Sequence, residues 1–299
     1  MIPIIDPESG HYSEPLVIPA RPEMFKYFWP DVKGSYYFRN RRFFLDFMHS
    51  SGGRIYYVPN GLPSNPPFIL VGNWRGRDDI TALWHIKGEG TLKEKLVVEA
   101  ALRKFEEGSE RFVTKPLNES EVRVFEKLGF APAYKIVLLE KRLWREPPFT
   151  AKEESLSIVR YKRKYLDDIL SLDATAFDDF WRLDPATMEA VATSCYRNIF
   201  LVAKSGEDIS GYAMGGANGR LGYLQRLGVH AARQREGIGE TLTRSILEAL
   251  RGMGAKVIMV NTQAENAGAL NLYRKLCFQD MPDPRFIMYC TPQSLELDR

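Results

Sequence analysis

The chain of 299 residues has little cysteine: Cys195, Cys277 and Cys290 are odd in number, widely spaced and share no CxxC pair. That excludes a disulfide framework and a cysteine-built zinc site, and suits a reducing compartment. Long apolar runs are also missing; none approaches the roughly 20 residues that cross a bilayer. The opening stretch "MIPIIDPESGHYSEP" lacks the basic-then-apolar order of a secretory signal. Excess charge is scarce as well. A net charge of +3 gives no nucleic-acid surface, and the cluster Arg39, Arg41 and Arg42 reads as a solvated helix face. These absences predict a cytoplasmic protein with no membrane, nucleic-acid or metal partner. What is present, 44% hydrophobic and 26% charged residues, is ordinary for a globular chain, and the length suits two domains.

Helix and strand signals alternate without low-complexity tracts. The proline- and aromatic-rich start, to about Asp31, reads as irregular structure with short helices. "YYFRNRRFFLDFMHS" repeats apolar residues at Phe43, Phe44 and Phe47, as a helix would. "RIYYV", "FILVGNW" and "ITALWHI" read as strands divided by turn signals at Asn60-Gly61, Pro66-Pro67 and Arg75-Gly76. A helix ending at Gly108, a strand "RFVTKPL", a helix capped by Asn118 and a strand "AYKIVLLEKRL" follow. The prolines of "WREPPFTAKEES" place a boundary near Pro147–Lys152, giving domains 1–148 and 153–299. Beyond it come strand, two helices, three strands, a helix with Ile238, Leu242, Ile246 and Leu250 on one stripe, a strand, a short helix and a last strand.

The halves read as one unit written twice. Asn118, Val122, Phe125, Leu128 and Phe130 match Asn266, Leu270, Tyr273, Leu276 and Phe278 in spacing, and each set follows a strand that follows a long helix.

The second half holds one further signal. "HAARQREGIG" lies between a strand and a helix, where unpaired N–H groups and the helix dipole favour an anion. Gly237 and Gly239 permit positive φ and close approach, and Gln234 and Arg235 suit phosphate oxygens. A turn with no ligand is the plain alternative.

The ordered set Q/R-x-x-G-x-G/A ("QREGIG"), strand, then N-x-x-A-x-x-L-Y-x-x-x-x-F ("NAGALNLYRKLCF") resembles the GCN5-related N-acetyltransferase (GNAT) superfamily over about residues 154–290. "NESEVRVFEKLGF" extends a weaker resemblance to the first half. The resemblance implies an α/β (α+β mixed-sheet) fold of two tandem GNAT domains with a degenerate N-terminal copy. It implies acetyl-CoA as acyl donor, no metal, and a primary amine acceptor on a small molecule or peptide N-terminus. It assigns the pyrophosphate to Gln234, Arg235, Glu236, Gly237, Ile238, Gly239 and Glu240. The pantetheine arm falls to the splayed strand at Leu227, Gly228 and Val229, with a further contact from Asn266. Tyr273 would protonate the departing thiolate.

Some positions depart from the family pattern. Where relatives that acetylate protein N-termini carry a glutamate base, five residues before the motif asparagine, this chain has Asn261. On the strand before the loop, Tyr223 and Gln225 are expected on one face and Arg226 on the other, and Tyr223 is the candidate base, through a water. His230 reads as structural or cofactor-side. Cys277, in place of the usual glycine, implies an altered helix exit. Phe180, Trp181 and Asp184 either line an amine pocket or are core residues and a helix cap. The first copy, with Phe125 at the tyrosine position and only "HIKGEG" as a loop, is expected to be inert, to stabilise the second and to wall its acceptor site. A non-catalytic acyl-CoA sensor is the alternative function. A nucleotide-binding module is disfavoured, because no Walker lysine or G-x-G-x-x-G is present. Monomer and homodimer both remain open.

Overall fold

The computed structural model describes residues 4–5, 12–13, 17–33, 38, 41–50, 52–59, 66–143 and 156–296. Arg39, the Asn60-Gly61 turn and the Pro147–Lys152 boundary lie outside the described residues. The chain divides into two compact units, Met1–Ala133 with Phe286–Arg299, and Tyr134–Arg285.

In the first unit, β1 (Ile4–Ile5) and β2 (Tyr12–Ser13) pair with each other. β3 (Ile18–Pro19), β4 (Arg54–Tyr57), β5 (Phe68–Trp74) and β6 (Arg77–Lys87) follow one another antiparallel, and β7 (Arg111–Val113) joins β6 in parallel. The last strand of the chain, Arg285–Cys290, pairs antiparallel with β7. The run "FILV" is buried on both faces, which is why it shows no polar alternation. Phe68 and Leu70 pack with α1 (Phe25–Val32) and α2 (Arg41–His49); Ile69 and Val71 pack with α3 (Gly90–Glu106) and α4 (Glu119–Glu126). Of the α2 phenylalanines only Phe44 and Phe47 face inward, and Phe43 is 55% exposed. Arg41 lies over the Phe25 ring and Arg42 pairs weakly with Asp46.

The second unit orders its strands β8-β13-β12-β11-β10-β9. They are β8 (Ala131–Arg142), β9 (Leu156–Arg160), β10 (Arg197–Ser205), β11 (Asp208–Asn218), β12 (Leu221–Val229) and β13 (Val257–Gln263). Only β12 and β13 run parallel. α5 (Leu166–Ala176) and α6 (Pro185–Ala192) pack with Tyr212 and Met214 of β11. α7 (Ile238–Gly252) and α8 (Ala267–Lys275) pack with Ala213, Ala217 and Leu224. The expected α7 stripe of Ile238, Leu242, Ile246 and Leu250 is wholly buried. α7 lies so close to β11 that a Cβ on Gly215 would come within 2.9 Å of Ile246. β14 (Gln279–Asp280) adds a short pairing to β8; β15 is the strand Arg285–Cys290, and α9 (Pro292–Glu296) brings Leu295 into the core of the first unit.

Each half thus gives its last strand to the other half's unit: β8 to β13, and β15 to β7. The repeated motif is also repeated in three dimensions. Asn118 accepts from the N–H of Glu121 at 2.9 Å, and Asn266 from that of Ala269 at 3.0 Å. The altered exit expected at Cys277 is not found. Phe130 donates to the Phe125 carbonyl at 3.1 Å, and Phe278 to the Tyr273 carbonyl at 3.0 Å, so both helices end in the same turn.

Candidate functional site

β12 pairs with β13 only from Leu221 to Leu224, where Leu224 faces Val260; beyond that point the parallel strands part. Leu227, Gly228 and Val229 keep their partners on β11, so their other edge is open. The parting begins at a bulge. Met214 pairs with Arg226 and Gly215 with Leu224, which leaves Gln225 as the extra residue. The bulge corrects the expected facing of this strand. Arg226 does not oppose Gln225: it bonds Asp173 of α5, while Gln225 bonds Ser194 just after α6 and Leu224 and Leu227 pack toward α7. One inserted residue breaks strict alternation and puts Tyr223, Gln225 and Arg226 on the same side.

The open edge leads to the loop before α7. Arg235 and Gly237 are both left-handed, with φ of 71° and 83°. Among the described residues, none of the backbone N–H groups from Arg235 to Glu240 donates to another group. A run of such donors in front of a helix is an anion cradle. A Cβ at Gly237 would meet nothing within 4 Å, so glycine serves the backbone angle there and not the space. The loop is tied to β11: the His230 N–H donates to the Ser210 carbonyl at 3.0 Å, and Arg233 reaches Ser210 Oγ at 3.1 Å. His230 Nδ1 also accepts from the N–H of Ala232 at 3.3 Å, a structural role. Glu236 is neutralised by Arg233, and Glu240 by Lys275 and Arg244. The hydrogen bond from Lys275, with help from Arg244, holds the Glu240 carboxyl below its ordinary range. Gln234 is exposed, its Nε2 3.4 Å from the Val229 carbonyl. Arg235 is exposed and has no ion pair among the described residues.

A buried polar network, not foreseen from the sequence, lies beside the bulge. Asp173 is fully buried and accepts from Arg226 Nη2 at 2.6 Å, from Arg226 Nε at 3.0 Å and from the Tyr212 hydroxyl. Its other oxygen accepts from the N–H of Leu183 at 2.9 Å. Arg226 also donates to the Trp181 carbonyl at 2.8 Å and lies 3.4 Å over the Phe177 ring. The network fixes the segment Phe177–Leu183 to α5 and β12. Burial pushes the Tyr212 phenol well above its ordinary value, with the Asp173 charge adding to it. Asp173 sits among apolar residues in "LDDILSLDATAF", and a buried carboxylate inside a helical stripe was the only signal that could have marked it.

Tyr273 is buried in the α7–α8 core with its ring 5.6 Å from that of Phe278, and burial raises its phenol above the ordinary value. Tyr223 is half-buried; burial first, then Cys195, raises its phenol too. Asn266 is exposed and uses Oδ1 to cap α8. Phe180 and Trp181 are buried and pack with Tyr134 of β8, at ring distances of 4.7 and 5.0 Å. Asp184 accepts from the N–H groups of Thr187 and Ala186, capping α6.

The first unit repeats the parted strands and the bulge with different residues. β6 pairs with β7 only from Ile80 to Ala82, and its bulge falls at Trp84. With the two bulges taken as equivalent, Tyr223, Arg226 and Tyr212 correspond to Ala82, His85 and Phe68. His85 stacks on Phe68 at 5.3 Å where Arg226 bonds Tyr212, and burial lowers its imidazole. Trp84 packs against Phe38 and Phe47. Only Gly88 and Glu89 separate β6 from α3, where the second unit has His230 to Gly237. No length of chain remains there to enclose a phosphate.

The model of the acetyltransferase (GNAT) family matches residues 166–278. The N-alpha-acetyltransferase RimI of Mycobacterium tuberculosis is 32% identical over 136 residues, covering 44% of this chain and 82% of that protein. Among solved structures, a tandem GNAT protein from the clavulanic acid biosynthesis pathway aligns with a TM-score of 0.67 at 10% identity, over 93% of this chain and 98% of that one. A GCN5-related N-acetyltransferase from Sphaerobacter thermophilus aligns with a TM-score of 0.61 at 13% identity, over 92% and 95%. At these identities the two structures speak for the tandem fold alone.

Proposed function

The chain belongs to the acetyltransferase (GNAT) family, and from that premise we propose that its second unit moves an acetyl group from acetyl-CoA to a primary amine by direct attack in a ternary complex. One observation carries the reading. The open edge of Leu227–Val229 runs into a loop whose N–H groups from Arg235 to Glu240 are unengaged. That combination suits a long ligand with an amide-bearing arm and a diphosphate. Arg235 adds an exposed cation, and the amide nitrogen of Asn266 is not used in capping α8. Bound there, acetyl-CoA supplies a thioester. Tyr273, kept protonated by burial, donates to the leaving sulfur. Tyr223 stays neutral near physiological pH, so its part is to accept a hydrogen bond from the amine or a relay water. Phe180, Trp181 and Tyr134 form the aromatic wall on the acceptor side, and Asp184 shapes it as the cap of α6.

Isothermal titration of the full chain with acetyl-CoA tests this. Arg235→Glu and Gly237→Glu are expected to weaken binding strongly. Wild-type affinity in both would remove the loop assignment. A non-catalytic acyl-CoA sensor is favoured only by the amide at Asn261, and CoA release with any amine excludes it.

A further inference from the structure

We propose that the first unit carries a binding site of its own, for a small zwitterion of the free α-amino acid class, in a cavity at the C-terminal end of α3. The cavity has a volume of about 310 Å³ and is lined by Pro19 of β3, Arg54 and Tyr56 of β4, and Arg103, Glu106 and Glu107 where α3 ends. That volume suits a small metabolite. The site is not the remnant of a CoA loop. Gly88 and Glu89 lead into the other end of α3, and a helix of 17 residues sets its ends about 24 Å apart. It also stands apart from the acyltransfer reading, which concerns the second unit.

The lining carries both signs of charge. Its cations are Arg54 and Arg103, and its carboxylates are Glu106 and Glu107. Tyr56 adds no charge, because burial, with Glu107 next, pushes its phenol up to about 12. Among the described residues, neither arginine pairs with either glutamate. Glu107 is held instead by Lys104 at 2.8 Å, and Arg103 has Glu99 at 3.8 Å. That leaves Arg54 and Glu106, one of each sign, with no ion pair among the described residues. A ligand with both charges answers both. An anion alone would meet the glutamates, a cation alone the arginines, and an apolar molecule would strip water from all of them at a cost.

The arginines are anchored and keep donors open. Arg54 uses Nη1 alone, on the Ser50 and Gly53 carbonyls at 3.1 and 2.8 Å, so its Nε and Nη2 are unengaged. Arg103 lies over the Tyr56 ring at 5.6 Å and gives Nη2 to the Val17 carbonyl at 2.9 Å. Its Nε is enclosed without a hydrogen-bond partner, whereas its Nη1 is unengaged and open. Guanidinium donors fixed in advance suit a carboxylate and lose little freedom on binding it. The ammonium pole falls to Glu106, the last residue of α3, where the helix dipole also favours a cation. The Tyr56 hydroxyl, 3.5 Å from Glu107 Oε1, ties strand and helix together beneath the ligand.

The test titrates the full chain, free of acetyl-CoA, with L-alanine, L-glutamate, L-arginine and L-phenylalanine by isothermal calorimetry. At least one is expected to bind with a stoichiometry of about one per chain. Its Nα-acetyl and carboxamide forms, each lacking one charge, are expected to bind more weakly by about tenfold or more. Arg54→Gln and Glu106→Gln should each lower affinity by about tenfold or more, with the thermal midpoint and the acetyl-CoA titration as in the wild type. Glu106 is exposed and has no ion pair among the described residues, so its variant does not put folding at stake and decides the matter if Arg54→Gln fails to fold. Binding of none of the four amino acids overturns the proposal, as does equal affinity for a form lacking one charge. Wild-type affinity in Glu106→Gln, or in a folded Arg54→Gln, would place the amino acid elsewhere on the chain and overturn it too.

Discussion

Gly129 and Cys277 hold the same left-handed position after equivalent helices, with φ of 78° and 59°. Glycine takes this conformation freely, whereas a side chain is strained in it. Cys277 is held there by its own N–H, which donates to the Arg274 carbonyl at 2.9 Å, and by Lys141 of β8, whose ammonium donates to the Leu276 carbonyl at 2.8 Å. The exit is therefore set by the surrounding bonds and not by the residue that makes it.

Replacing the strained residue should stabilise the second unit. Cys277→Gly is expected to gain up to about 1 kcal/mol, or about 2–4 °C in thermal midpoint, less the entropy that glycine adds to the unfolded chain. Gly129→Ala should lose about 1 kcal/mol in the first unit. Differential scanning calorimetry of both variants reads this, and a lower midpoint for Cys277→Gly would contradict the account.

Much of this was legible in the sequence, and what was not has a physical reason. The α7 stripe, the cap at Asn118 and the strand in "FILVGNW" follow from local periodicity and capping chemistry. The exchange of β8 and β15 did not show, because a strand's residues record that it is buried and not which sheet buries it. The facing of Arg226 was misread because a bulge depends on the pairing of two strands and leaves no mark in one. The Asp173 network escaped for a similar reason: its partners lie 39 and 53 residues away.

The Asp173–Arg226 pair gives a second prediction. Removing one partner leaves a buried charge alone, so Asp173→Ala should cost about 3–5 kcal/mol. Asp173→Leu combined with Arg226→Met should cost less than the two single changes added together. Chemical denaturation of the four proteins gives the coupling, and simple additivity would show that the pair is not acting as a unit.

The first unit should bind no CoA. Its bulge is filled by Trp84 packed on Phe47 at a ring distance of 5.0 Å, and no loop longer than Gly88-Glu89 precedes α3. Titration is expected to give a stoichiometry of about one per chain, set by the second unit. Two sites of similar affinity would mean that the short β6–α3 connection holds a diphosphate after all.

The role of Tyr273 can be isolated from binding. Tyr273→Phe keeps the ring in the core and removes only the hydroxyl, so kcat should fall by about 10²–10⁴-fold while KM for acetyl-CoA changes little. Burial raises the Tyr273 phenol, so the donor form persists at every pH below that raised value. The sign is definite: activity carried by this proton should be retained, not lost, as pH climbs past the ordinary tyrosine value near 10. A pH profile of kcat with a saturating amine checks this, provided that chemistry limits the rate. An alkaline fall centred near 10 that disappears in Tyr273→Phe would show a phenol titrating normally, and the burial argument for this residue would fail.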